Sequence, residues 1–249
     1  MLTYIIAGLT TLGFTTVLTI AGLGAAFILI PVFLALEVPL LTAMSTALLL
    51  NSIAMVIASI NYAREKLIVF KTAIPIAVVT MIFSPLGANT AKYLSENILK
   101  WIFICFLLFA ASMIIFYKPR ERQREYSTKK LIVYGIITGT IAGFIGGLLG
   151  VGGGNIIVPF LIFLGFNAKK AAATTAFIVI FSSLAGFLGH VSLGNIDVLL
   201  IICCAIASIA GAIIGSYLIK KKMTIRQVKI AIGIVLYIVA AKMIFDLLI

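Results

Sequence analysis

The sequence has few charged residues: Asp, Glu, Lys and Arg make up 10% of its 249 residues, against about 25% in a typical soluble domain. Hydrophobic residues make up 63% and are grouped in long runs. A soluble domain of this size cannot bury that much apolar surface. The composition therefore excludes a soluble enzyme, a nucleic-acid-binding domain, a disordered chain and a disulfide scaffold. It indicates an all-α polytopic membrane protein, since the runs also lack the alternation of β-barrel strands.

Groups that carry chemistry in membranes are scarce as well. The chain has one histidine, His190, and three cysteines in apolar runs, so no metal site or cofactor is expected. All seven acidic residues fall in loops or near the ends of runs, which argues against a cation transporter because such proteins place carboxylates in mid-membrane. His190 also ends a run and is the only side chain that titrates near neutral pH; we expect it at the membrane interface, with a proton relay as the alternative. Tyr62 and Trp101 are expected there as anchors.

Basic residues outnumber acidic ones, 19 to 7. In a membrane protein this excess marks cytoplasmic loops and does not indicate a nucleic-acid partner. The strongest basic stretch, residues 118–130, is the only markedly hydrophilic segment and divides the chain. The sequence thus predicts a first membrane repeat at 1–117, a basic cytoplasmic linker at 118–130 and a second membrane repeat at 131–249.

The two halves match when the chain is shifted by 128 residues. Each begins with an overlong apolar run, 2–36 or 131–164, that is interrupted by glycines and contains a proline. The matched identities are those of Gly22, Gly24, Ile28, Pro31, Leu36, Ala43 and Thr46 with Gly150, Gly152, Ile156, Pro159, Leu164, Ala171 and Thr174, and further along Gly87 with Gly215. The ordered glycine and proline matches indicate an internal repeat.

The distribution of basic residues predicts that the repeats are inverted. If each long run breaks at its glycines and makes no net crossing, 16 basic residues lie inside, and Lys92, Lys100 and Lys242 lie outside. If each run crosses once, the repeats are parallel and the division is 10 to 9. The positive-inside rule favours the inverted arrangement. Each repeat is then a glycine-broken first helix pair followed by three transmembrane helices, with the linker cytoplasmic and both termini outside the cell membrane. Whether the broken pair is re-entrant or crosses twice stays open, as does a homo-oligomer.

The glycine breaks predict a binding site for a small anion. Irregular backbone at membrane depth is tolerated only where protein or a water-filled cavity covers it. A short helix starting after each break presents unpaired N–H groups and partial positive charge, which can bind an anion without Lys or Arg. Ser182 and Ser183 add to a group of polar residues on the following helices. The predicted substrate-binding residues are Gly22, Gly24, Gly150, Gly152, Gly153, Gly154, Asn155, Ser45, Thr46, Asn51, Thr174 and Thr175.

The second break carries a family resemblance. Gly150-Val151-Gly152-Gly153-Gly154, followed by Ile156-Ile157-Val158-Pro159, resembles the glycine-rich motif of the TauE/SafE family of sulfite exporters. The resemblance covers residues 5–246 and implies transport of small sulfur-containing oxyanions, such as sulfite or organosulfonates, often outward. The first copy departs from it, because Ala25, Ala26 and Phe27 replace Gly153, Gly154 and Asn155. We therefore expect an asymmetric site, with closer anion contacts at the second copy.

These features together predict a secondary transporter, not an enzyme, with a small anionic substrate and the lipid bilayer as its partners. Proton coupling is expected to depend on protonation of the substrate itself, since no membrane carboxylate is available. The alternatives are an anion channel that uses the same site and a non-transporting subunit of a membrane complex. A Ser/His pair, a pair of aspartates and a His-Glu-x-x-His motif are all absent from the sequence.

Overall fold

The computed structural model describes residues 2–116, 128–191, 197–218 and 225–248. These residues form ten α-helices and no strand. The helices are α1 (Leu2–Ala21), α2 (Ala26–Ala35), α3 (Leu40–Arg64), α4 (Phe70–Ala91), α5 (Glu96–Phe116), α6 (Thr128–Leu148), α7 (Gly154–Phe163), α8 (Ala168–Val191), α9 (Val198–Leu218) and α10 (Ile225–Leu248).

Helices α3, α4, α5, α8 and α9 are long and apolar enough to cross a membrane. Their backbone hydrogen bonds are made within the helix, as a span in lipid requires. Large apolar side chains such as Ile74, Val78 and Ile206 are more than half exposed, which suits a surface that faces lipid. The prediction of an all-α polytopic membrane protein is confirmed. Of the predicted linker, residues 118–127 lie outside the described residues, and α6 already begins at Thr128.

Each overlong run is one long helix followed by one short helix. α1 has 20 residues and α2 has ten, so at 1.5 Å per residue they measure about 30 and 15 Å. α6 and α7 repeat this division with 21 and ten residues. The breaks fall where the glycines were found, and Pro31 and Pro159 lie inside the short helices.

The helices correspond in order across the 128-residue shift, and their contacts correspond as well. α1 packs mainly on α9, while their counterparts α6 and α4 pack on each other. In both pairs a glycine of one helix faces a backbone carbonyl of the other: Gly215 faces Thr16, and Gly87 faces Phe144. These four residues are related by the same shift, so equivalent residues make equivalent contacts. Small residues of this kind let membrane helices approach closely.

Helices α3 and α8 form the centre of the molecule and cross each other. Ser52 of α3 donates a hydrogen bond to the carbonyl of Ile180 of α8, its own counterpart at the 128-residue shift. The most apolar stretches of these two helices are 72% and 67% buried, more than those of the other three candidate spans. α2 packs against α3 and α7 against α8, so the chain breaks are held beside the central pair.

Candidate functional site

Asn51 of α3 joins the first break to helix α8. Its side chain is fully buried. The Oδ1 atom accepts a hydrogen bond from the backbone N–H of Ala25 at 2.9 Å, and the Nδ2 atom donates to the Oγ of Ser183 at 2.9 Å. Ala25 is the N-cap residue of α2, directly before the helix. Asn51 therefore caps α2 from a different helix and satisfies one of the N–H groups that a helix start leaves unpaired.

Gly24 and Gly152 both lie against the Asn51 amide. A Cβ atom on Gly24 would overlap Oδ1 of Asn51, and one on Gly152 would overlap Oγ of Ser183 and lie 2.9 Å from Nδ2 of Asn51. Both glycines also have a positive φ, +76° and +75°, which L-residues with a side chain rarely adopt. The two breaks thus approach one buried amide from opposite halves of the chain, and only glycine fits at either position.

The start of α7 has no equivalent cap. The shift of 128 residues places Val179 where the first half has Asn51, and Gly153, the N-cap residue of α7, makes no side-chain capping bond. Among the described residues the backbone N–H group of Gly153, the counterpart of Ala25, finds no acceptor. The N–H groups of Gly154 and Asn155 also find none there, and neither do those of their counterparts Ala26 and Phe27. The Oδ1 of Asn155 is buried and lacks a hydrogen-bond partner within the same residues. The two helix starts thus differ in the cap: Asn51 caps α2, and no side chain of the described residues caps α7.

Three further predicted glycines pack the breaks against the central helices and α6. A Cβ on Gly22 would overlap the backbone of Ala172, and one on Gly150 would overlap the side chain of Met44, the counterpart of Ala172. Gly153 lies against the carbonyl of Ala142. These contacts are close packing between helices, which fixes the position of each break.

Of the predicted hydroxyl groups, some already have structural partners. Ser45 donates to the carbonyl of Thr42 at 3.0 Å, and Thr174 accepts from the N–H of Val69, just before α4, at 3.1 Å. The hydroxyls of Thr46 and Thr175 are buried and find no partner among the residues that the structure describes.

Ser182 and Ser183 have the closer relation to the breaks. Ser182 donates to the carbonyl of Gly152 at 2.7 Å, and Ser183 is bonded to Asn51. The sequence marked both as polar residues near the breaks but did not include them among the binding residues.

Comparison with known proteins identifies the family. The model of the sulfite exporter TauE/SafE family matches residues 5–243. The chain belongs to the TauE/SafE family.

Several curated proteins are related to this TauE/SafE chain. The probable membrane transporter protein YunE of Bacillus subtilis is 26% identical over 93% of both chains. The probable membrane transporter protein YdhB of the same organism is 23% identical over 78% of this chain and 80% of its own. The sulfite exporter TauE/SafE family protein 1 of Arabidopsis thaliana is 33% identical over 39% of this chain and 22% of its own. The family and these names describe membrane transporters, not enzymes.

Two residues of this TauE/SafE protein that were expected at the membrane interface are instead buried. Tyr62 is 1% exposed and His190 is fully buried, so the interfacial prediction is wrong for both. The hydroxyl of Tyr62 donates to the carbonyl of Thr19 at 2.7 Å, and Nε2 of His190 lies 2.6 Å from the carbonyl oxygen of Gly147. Both carbonyls need a hydrogen-bond donor near the end of a broken helix, and position within a run does not reveal that need.

The shift of 128 residues would have revealed this pair. It places Tyr62 on His190 and Thr19 on Gly147, so the two hydrogen bonds are one contact made twice. In each half the same carbonyl also accepts from the first glycine of the break, Gly22 or Gly150. The side chain on the central helix and the turn at the break therefore share one acceptor.

Proposed function

We propose that this protein is a secondary carrier, in the export direction, for small sulfur-containing oxyanions such as sulfite or organosulfonates. The observation that carries the proposal is the group of N–H donors at the start of α7, those of Gly153, Gly154 and Asn155, which find no acceptor among the described residues and lie near the buried amide of Asn51. N–H groups without an acceptor, at a glycine-lined helix start in the membrane interior, are suited to a small anion. The family and its Arabidopsis relative are named for sulfite export, which supports the substrate class.

The anion would bind between the two helix starts. The N–H groups of Gly154 and Asn155 would donate to one oxygen, and the partial positive charge of the α7 N-terminus would stabilise the negative charge. At α2 the Oδ1 of Asn51 already takes the place of an anion oxygen on the N–H of Ala25. Rotation of the Asn51 amide would release that N–H and direct Nδ2 toward the substrate. Thr46 of α3 and Thr175 of α8 would be further donors, because their buried hydroxyls have no partner among the described residues.

The repeats at 1–117 and 131–249 would be inverted. Equivalent helices exchange partners, α1 with α9 and α6 with α4, and the two central helices cross at a pair of equivalent residues. These contacts support a pseudo-two-fold relation between the halves, and the charge distribution supports its inversion. The linker would then face the cytoplasm and both termini the outside. In such transporters the substrate site lies near the midplane where the repeats meet.

Transport would proceed by alternating access. One repeat would move against the other around the site, so that the helix starts face the two sides of the membrane in turn. The sequence contains no nucleotide-binding motif, so ion or substrate gradients would supply the energy. A channel built on the same site would not require this alternation, and kinetics separate the two.

Flux into proteoliposomes tests the proposal. We expect saturable uptake of labelled sulfite or ethanesulfonate, cross-inhibition between them, and accelerated exchange when unlabelled anion is present inside. Sulfate and chloride serve as comparison anions. Conduction without counterflow would indicate a channel, and no movement of any sulfur anion above empty liposomes by folded protein would refute the substrate class.

Two glycine-to-alanine substitutions test the site, one at the second break and one as its matched control. Gly152→Ala adds a methyl group that overlaps Ser183 and crowds Asn51, whereas Gly13→Ala adds the same group where no other atom lies within 4 Å. We expect Gly152→Ala to reduce uptake at least tenfold and Gly13→Ala to leave it unchanged. Equal uptake by both variants, with wild-type folding, would exclude a substrate at this break.

A further inference from the structure

We propose that His190 binds the proton that couples transport to pH. This role rests on the carrier function proposed above, and it replaces the expectation that protonation of the substrate alone provides coupling. The contact that His190 makes, its burial and its counterpart in the first half carry the inference.

The hydrogen bond fixes the tautomer of the neutral ring. A carbonyl oxygen only accepts, so Nε2 of His190 must carry the hydrogen that it shares with Gly147 at 2.6 Å. In the neutral imidazole the other nitrogen, Nδ1, then carries a lone pair. That atom is buried and has no hydrogen-bond partner in the part of the chain that the structure describes. His190 thus presents an unoccupied proton-binding atom in the interior while its other nitrogen contacts a broken helix.

The helices packed against α8 offer no carboxylate to a protonated ring. They are α3, α4, α6, α7 and, over a smaller contact, α1, and within their bounds the sequence has no Asp or Glu. Their titratable and charged residues are Tyr62 and Arg64 of α3, Lys71 of α4, Lys129, Lys130 and Tyr134 of α6, and Tyr4 of α1, and α8 itself adds Lys169 and Lys170. Lys92 follows the end of α4, and Asp197, before α9, is bonded to Tyr4 and the N–H of Leu200. The carboxylate before α3, Glu37, is exposed. Protonated His190 therefore needs water or an anion as its partner.

This requirement links proton binding to the transport cycle. A buried cation without a partner is costly, so protonation favours states in which Nδ1 reaches water or the anionic substrate lies closer. The acceptor, Gly147, is three residues before Gly150 and also accepts from the N–H of Gly150 at 3.2 Å. A shift of the imidazole is thereby transmitted to the turn at the break. Any ligand that distinguishes two states shifts their populations, and here the ligand is a proton.

In the first half the equivalent contact is made by a side chain that does not titrate near neutral pH. Tyr62 donates to Thr19 as His190 does to Gly147, but a phenol does not change charge near neutral pH and an imidazole does. His190→Tyr therefore provides the group that the protein itself uses at the equivalent position. This substitution keeps a hydrogen-bond donor for the carbonyl of Gly147 and removes the imidazole that titrates.

Two measurements test the assignment. The first is uptake of ethanesulfonate, whose charge is constant over this range, from pH 5.5 to 8 with equal pH on both sides. We expect wild-type uptake to rise as the pH falls, by at most about tenfold per unit for a single site. In His190→Tyr it should stay within about twofold over the same range. An unchanged pH profile in His190→Tyr would overturn the proposal, since a purely structural histidine predicts that result.

The second measurement does not depend on transport. His190 is the sole histidine of the chain, so protein with ¹⁵N-labelled histidine, purified without a histidine tag, gives the nitrogen signals of one ring. We expect the Nε2–H tautomer at high pH and protonation of Nδ1 between pH 5 and 8. A ring that stays neutral throughout, with and without ethanesulfonate, would refute the proposal even if His190→Tyr failed to fold. If wild-type protein moved no sulfur anion but the ring titrated, the carrier function would fail while the proton site stood.

Discussion

The backbone of Gly154, the first residue of α7, lies against the backbone of Leu23 in the break between α1 and α2. The two breaks, 131 positions apart in the chain, are therefore in direct contact. A Cβ on Gly154 would overlap the carbonyl of Leu23, and neither backbone can move without displacing its short helix. We expect Gly154→Ala to lower both uptake and thermal stability, by about 1–3 kcal/mol for overpacking. Gly8→Ala, in open space, is the control for proteoliposome flux and melting in detergent; similar losses in both would contradict the contact.

A charge at Asn51 should abolish anion binding with little change in shape. Asn51→Asp keeps an oxygen for the N–H of Ala25 but removes the donor to Ser183 and places negative charge between the helix starts. We expect at least a tenfold loss of uptake through repulsion of the substrate. Asn61→Asp is matched, because Asn61 lies on the same helix and donates to Ser216, a residue of α9. Equal losses in both variants would mean that any charge on α3 is harmful and that Asn51 has no special role.

The hydrogen bond of Tyr62 should be measurable as stability. Tyr62→Phe removes the donor to the Thr19 carbonyl, which keeps its bond from the N–H of Gly22. We expect a loss of about 0.5–1.5 kcal/mol, measured as reversible unfolding in detergent. Tyr93→Phe, at a residue that is 79% exposed, should be neutral. If Tyr62→Phe were as stable as wild type, the Thr19 carbonyl would not need its second donor.

Two lysines distinguish inverted from parallel repeats. With the native cysteines replaced by serine, Lys170→Cys should be inside and Lys242→Cys outside if the repeats are inverted, and the reverse if they are parallel. Lys66→Cys and Lys100→Cys are references, since both arrangements place them inside and outside, respectively. We expect an impermeant maleimide to label Lys242→Cys in intact cells and Lys170→Cys only after permeabilisation. Labelling of Lys170→Cys in intact cells would refute the inverted arrangement.

The sequence predicted the breaks well because glycine and proline act locally. Gly22 and Gly150 end their helices with positive φ, as a residue without a side chain allows. Helix lengths followed from the apolar runs, since bilayer thickness sets the length of a span. The closer anion contacts expected at the second copy, from the extra side chains of the first, stay a prediction.

Side-chain partners could not be predicted in the same way. Nothing local distinguishes Asn51, which bridges two helices, from Thr174, whose hydroxyl accepts from the backbone before α4. The prediction was wrong for His190 and Tyr62 because a residue near the end of an apolar run is usually exposed to water. Here both side chains are buried by helices that are distant in sequence. An alignment of the two halves, residue by residue, would have shown that they occupy equivalent positions.

The cap that Asn51 places on α2, with Val179 at the equivalent position beside α7, would make the two ends of the proposed cycle unequal. In the proposed inverted arrangement the repeats would exchange roles between inward-facing and outward-facing states, so an uneven pair of helix starts would present a different site to each compartment. Half-saturation concentrations on the two sides of the membrane would then differ, although the equilibrium gradient could not. The difference between asparagine and valine at equivalent positions would thereby give the proposed carrier different transport rates in its two directions.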